Sequence, residues 1–169
     1  EAAFEHLSSD ENNFQFTFDI YGKSSTDTEW QTLFAGVNAT RLDDGYLQTL
    51  TLDSIKNLKS VRIVITSITN TAGDPWPALA EFKIFADTSG SGSEDTESIA
   101  YKKPVHTNAG GVVSRINDGS TINTWAGERY PAYVDIDLEA NYKLDEIQVY
   151  TPSAGYSQYS VYTSIIHFK

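Results

Sequence analysis

Ala132-Tyr133-Val134-Asp135-Ile136-Asp137-Leu138 alternates without a break, Val134, Ile136 and Leu138 on one side and Tyr133, Asp135 and Asp137 on the other. A period of two predicts a strand with one packed face. Just upstream, Ser114-Arg115-Ile116-Asn117-Asp118-Gly119-Ser120-Thr121-Ile122-Asn123-Thr124-Trp125 supplies a polar loop that ends in a large apolar anchor. Asp118-Gly119 marks a tight turn there, because Gly takes a positive φ cheaply and Asp bonds its own backbone. A loop this rich in oxygen can hold a hard cation or simply turn a corner; its local chemistry leaves both open.

The same alternation recurs outward from this stretch. Phe14, Phe16, Phe18 and Ile20 oppose Gln15, Thr17, Asp19 and Tyr21. Residues 22–27 read as a polar turn, after which Trp30, Leu33 and Phe34 return to the core. Gly36-Val37-Asn38 and Asp43-Asp44-Gly45 are expected to be corners. Leu47, Leu50 and Leu52 predict a short strand, and residues 53–59 a loop or single turn. The β-branched run Val61–Ile68 predicts a central strand covered on both faces. A Gly/Pro loop carrying Trp76 follows, then strands at 80–85, 144–150 and 159–162. Residues 87–98 contain no apolar side chain and read as a linker. No helical period of useful length is present. Short strands with turn signals about every 8–12 residues predict an all-β sandwich or barrel.

Composition narrows the functional classes. A chain of 169 residues is long enough for one domain with a real core. The formal charge of −11 argues against nucleic acid, whose affinity rests on Lys and Arg neutralising phosphates, and against an anionic membrane surface. Cysteine is absent, so there is no disulfide frame, thiolate zinc site or thiol nucleophile. No apolar run approaches a membrane span, so no membrane insertion is expected. The acidic N-terminus is not a signal peptide, which places any export signal outside this chain. His6, His106 and His167 fall in separate segments without metal spacing, and no nucleophile elbow or phosphate loop occurs. Asp135 and Asp137 share a strand face but have no cleft between them, as paired glycosidase carboxylates would need. The expectation is a domain that is not itself an enzyme.

Two blocks carry a family resemblance. Residues 98–164, through Ile99-Ala-Tyr-Lys-Lys-Pro-Val105, Asn117-Asp118-Gly119 to Trp125, Tyr133–Leu138 and Tyr159–Ser164, resemble the N-terminal half of a discoidin (coagulation factor V/VIII C-type) domain. This is the fold of the family 32 carbohydrate-binding modules. Residues 14–86, through Phe18-Asp-Ile-Tyr21 with Trp30, Val61–Ile65 and Pro77–Phe85, resemble the C-terminal half. The halves stand in reverse order, as 1–86, a linker at 87–98, and 99–169. Asp19-Ile-Tyr21 and Ser160-Val-Tyr162 look like one strand seen twice, 141 residues apart (162 − 21). That suits a window cut across two tandem modules, its halves completing one sandwich within a monomer or between chains as a domain-swapped dimer.

The resemblance implies a discoidin-like jelly-roll β-sandwich with a structural calcium ion. Its ligands would be the carboxylates of Asp118 and Glu81 with carbonyls of Arg115, Asn123 and Ala80. The family often has Thr where this chain has Asn123. The resemblance further implies a glycan ligand, galactose- or N-acetylhexosamine-containing, and a parent glycoside hydrolase, secreted or on the cell surface of a bacterium. Sugars need an aromatic face and forked polar groups, for which the end loops offer Trp76, Asn108, Glu128, Arg129, Tyr130 and Tyr156. The Arg that galactose-binding members carry after the strand has no counterpart in Thr151-Pro-Ser-Ala-Gly155. The alternative is a structural or adhesive sandwich domain that makes protein contacts without binding sugar.

Overall fold

The computed structural model describes residues 15–39, 46–69, 76–86 and 97–151. They form β1 (Gln15–Lys23), β2 (Gln31–Ala39), β3 (Tyr46–Thr69), β4 (Ala78–Leu79), β5 (Glu81–Ala86), β6 (Val105–Thr107), β7 (Trp125–Ala126) and β8 (Ala132–Thr151). A single 3-10 turn spans Val113–Arg115, and the expected absence of long helices holds among the described residues. One antiparallel sheet runs β2-β1-β3-β8-β5, with β6 also on β8; β4 and β7 make a separate pair. The chain is all-β.

Two strands organise it. The second half of β3 pairs with β1 and with the first half of β8, which also carries β6. The first half of β3 pairs with the second half of β8, which also carries β5. Phe18, Ile20, Ile63 and Val134 from one part meet Phe82, Ile84, Ile147 and Val149 from the other in a single buried cluster. The result is a sandwich whose two layers share continuous strands at the corner, where bulges permit the bend. Since β8 is hydrogen-bonded to both β3 and β5, strands from before and after residues 87–96 share one sheet and one core.

The corner corrects two expectations. Between the pairs Thr51–Glu146 and Lys56–Leu144, residues 52–55 of β3 face Asp145 alone. Between Leu58–Tyr142 and Ser60–Asp137, residues 138–141 of β8 face Lys59 alone. The extra residues on opposite strands cancel, so the register on either side is the same. Residues 53–59 are therefore strand rather than loop, and the two strands expected at 132–138 and 144–150 are one. The buried set on β3 passes from Leu52 and Leu58 to Val61, Ile63 and Ile65, and on β8 from Leu138 and Leu144 to Ile147 and Val149. Such a change of phase reads locally as the end of a strand.

Smaller differences have equally local causes. Gly36 is no corner: it lies inside β2 at φ +61, where β2 bulges opposite Asp19, whose Oδ1 accepts the Gly36 N–H at 2.7 Å. Gly22 belongs to β1, and the turn begins at Ser24, whose N–H bonds Asp27 Oδ2 at 2.9 Å. Val61–Ile68 is central but fully buried on one face only; its other face carries half-buried Arg62 and Val64. Ser98, expected in the linker, is part of the fold, its hydroxyl accepting the N–H groups of Ile84 and Ala100. Phe14, Asp43–Gly45 and the strand expected at 159–162 lie outside the described residues, as do His6 and His167.

Candidate functional site

Trp125 organises the first candidate site. Its side chain is buried, with Nε1 donating to the Gly110 carbonyl at 2.7 Å, and β7 pairs Trp125 with Leu79 and Ala126 with Ala78. On either side, Gly127 N–H reaches the Pro77 carbonyl at 2.8 Å and Glu128 N–H the Ala109 carbonyl at 2.6 Å. Three chain segments are thus clamped around one indole. At Gly111, φ is +80 and a Cβ would sit 2.3 Å from the Ala126 carbonyl oxygen, so only glycine admits this approach.

The clamp presents a pocket of about 460 Å3 at the end of β3. Trp76, Glu128, Arg129 and Tyr130 line it, with Ser67, Ile68 and Pro77 as the floor. Trp76 is 55% and Tyr130 47% exposed, and the Tyr130 hydroxyl donates to the Thr66 carbonyl, which pins its ring beside β3. Among the described residues neither the Glu128 carboxylate nor the Arg129 guanidinium has a hydrogen-bond or ion-pair partner, although they are adjacent. Aromatic faces next to an unpaired acceptor and an unpaired donor can hold a polar ring.

Four of the six residues expected to bind sugar therefore meet: Trp76, Glu128, Arg129 and Tyr130. Asn108 is not among the residues lining the pocket. Its Nδ2 donates to the Pro131 carbonyl at 3.1 Å and its Oδ1 accepts the Tyr133 N–H at 2.9 Å, so it splints the loop between Tyr130 and β8. Tyr156 lies outside the described residues. Ser67 and Ile68 were not legible as pocket residues, because the bulge of β3 at Thr66 that turns them to the pocket leaves no mark in the sequence.

The second candidate is a carboxylate pair. The Ile116 carbonyl accepts the Phe82 N–H at 2.7 Å, laying residues 116–119 along β5. Glu81, 1% exposed, points at this loop, and Gly119 N–H lies 3.3 and 3.2 Å from its two oxygens. Burial pushes the Glu81 carboxyl up to about 7 from the ordinary 4.5; the Gly119 N–H pulls it back and the Asp118 charge adds to the rise. Asp118 Oδ1 accepts Ser120 N–H and Oδ2 accepts Asn123 Nδ2, both at 2.8 Å. Ala80 precedes Glu81 with its N–H on the Tyr150 carbonyl, and the Arg115 guanidinium bonds the Thr124 carbonyl at 3.2 Å. Asn123 turns its amide nitrogen to Asp118, which occupies neither its side-chain Oδ1 nor its backbone carbonyl. Among the described residues no three His, Cys, Asp or Glu side chains come together. Glu81 and Asp118 are thus the only two carboxylates of this donor set, the rest being carbonyls.

The fold and the pocket define an all-β sandwich with a preformed polar-aromatic pocket at one end. The chain matches no family model, no curated protein and no solved structure. No helix among the described residues is long and apolar enough to cross a membrane.

Proposed function

We propose that the chain is a non-catalytic carbohydrate-binding module, discoidin-like in fold, that holds a parent glycoside hydrolase against glycans. What carries the reading is the convergence of Trp76, Arg129 and Tyr130 with Glu128 on one pocket, the two charged groups left unpaired. A sugar ring offers an apolar C–H face to Trp76 or Tyr130 and vicinal hydroxyls to the carboxylate and guanidinium. The volume falls in the usual range for a small-molecule site, about 300–1,000 Å3. The charge of −11 favours neutral glycans, galactose- or N-acetylhexosamine-containing, over polyanions. Such a module serves a bacterial enzyme outside the cell, where tandem copies multiply modest single-site affinity.

Calcium belongs to the same proposal. The residues fit a hard cation: two carboxylates, one of them buried with only long N–H contacts, beside a loop of backbone carbonyls. Glu81 and Asp118 would hold it, with carbonyls from Ala80, Arg115 and Asn123; bound there, it would fasten the 116–123 loop to β5.

Titration of the whole chain against a glycan panel tests the binding. Trp76→Ala should cost about 2 kcal/mol, roughly 30-fold in affinity. Its thermal midpoint should stay within about 2 °C of the parent because the side chain is exposed. Unchanged affinity in a folded Trp76→Ala variant would sink the pocket assignment. One observation favours the second reading, a domain for protein contacts. Among the described residues β2 is an edge strand, and its residues Gln31–Ala39 include no charge and no proline, the kind of edge another strand can extend.

A further inference from the structure

Beyond the pocket, the outer face of the sheet continues from Tyr130 along β3 and β8. Ser67, part of the pocket floor, pairs with Thr17 on the outer face of the sheet, and the Tyr130 hydroxyl rests on the carbonyl of Thr66. Two positions back along β3, Val64 pairs with Tyr133; two further, Arg62 pairs with Asp135 and Tyr21. Alternation puts these side chains on the outer face, because Val61, Ile63, Ile65, Val134 and Ile136 fill the inner one. At about 3.3 Å per residue, Thr66 to Arg62 spans roughly 13 Å.

A rigid row crosses that face. The Arg62 guanidinium lies 4.4 Å from the Trp30 ring centre and 4.5 Å from that of Tyr133. Its Nε and Nη2 bond the two Asp135 oxygens at 2.6 and 2.7 Å. Nη1 has no hydrogen-bond partner among the described residues, and the side chain remains 26% exposed. Two rings and a bidentate carboxylate hold one free donor in place, at little entropic cost to a ligand. The pair cancels its own charge, so the row suits a neutral partner.

We propose that the pocket is one end of an extended site, and that its ligand is a neutral oligosaccharide chain laid across the outer face of the sheet. The pocket takes one unit, and the Tyr133–Arg62–Trp30 row holds units beyond it. This rests on the glycan reading above and specifies chain length rather than sugar identity.

Calorimetric titration of the whole chain with two series tests it: galactose with its β-linked oligomers, and N-acetylglucosamine with its oligomers, each from the single sugar to the hexamer. The expected result is affinity rising at least tenfold with length in the series that binds, and a Trp30→Ala variant that flattens this rise. Should Trp30→Ala not fold, the wild-type indole N–H signals give the same answer. The signal of Trp30 should shift with the longer oligomers and not with the single sugar. Binding that is equal at every length, or a Trp30 signal indifferent to the hexamer, overturns the extended site and leaves the pocket standing. No binding by either series overturns both.

Discussion

Glu81 links the folded state to pH. Its carboxyl is raised to about 7 by burial, whereas in an unfolded chain it lies near 4.5. Between those values the folded protein holds a proton that the unfolded one releases. Its contribution to stability is therefore complete below about pH 4.5 and lost as pH rises through about 7. In chelator the melting temperature should fall between pH 5 and 8, and Glu81→Gln should remove most of that slope. Excess calcium at pH 8 should restore what is lost if the carboxylates of Glu81 and Asp118 hold the ion; identical melting curves in calcium and in chelator at pH 8 would end that assignment. Residues such as Trp76 and Tyr130 are legible beforehand, because a large aromatic in a Gly/Pro or polar loop has little local reason to be there. Asn108 is not: its splinting role depends on Pro131 and Tyr133, remote in sequence. Arg62 sits in a β-branched run, and nothing near it announces that Trp30 and Asp135 will close around it.

At the scale of elements, two glycines with positive φ separate backbone strain from steric contact. A Cβ at Gly36 would meet nothing within 4 Å, so Gly36→Ala carries only the left-handed cost, about 1–2 kcal/mol. Gly111→Ala adds a collision with the Ala126 carbonyl at 2.3 Å and should cost about 3 kcal/mol or more. Urea midpoints of the two variants measure the difference; equal losses would mean that the loop at 108–111 is not clamped against β7. The strands themselves were legible wherever alternation held its phase, as in β1, β5 and both halves of β8. They were lost where the phase changed, at 52–59 and 138–145. There a strand continues through a bulge, and a reader of local pattern sees an ending. Because the bulges on β3 and β8 cancel, shortening one alone by an odd number of residues would turn one strand's core face outward beyond it. Compensating changes on both strands would be tolerated.

For the whole molecule, the sheet rather than the covalent link between Ala86 and Glu97 holds the two segments together. A protease site engineered between these residues and cut in the folded protein should leave both fragments co-eluting as one species until denaturant is added. Each fragment expressed alone should fail to fold, for each lacks half of the buried cluster. Fragments that part on a sizing column without denaturant would show the shared sheet to be wrong. All-β character and a sandwich follow from strand period and turn spacing. The way the sheet bends at one corner does not, since it depends on pairings across most of the chain.

The position of β8 also matters to the ribosome. β1, β2 and β3 emerge first and can pair with β1 between the other two, but the long partner of β3 is made only after β7, several seconds later at about 5–20 residues per second. Through that interval the row of amide groups along β3 has no neighbour on its β8 side, and the apolar side chains of β1 and β3 have no opposing layer. The closing step of folding is then the arrival of β8 rather than any local event.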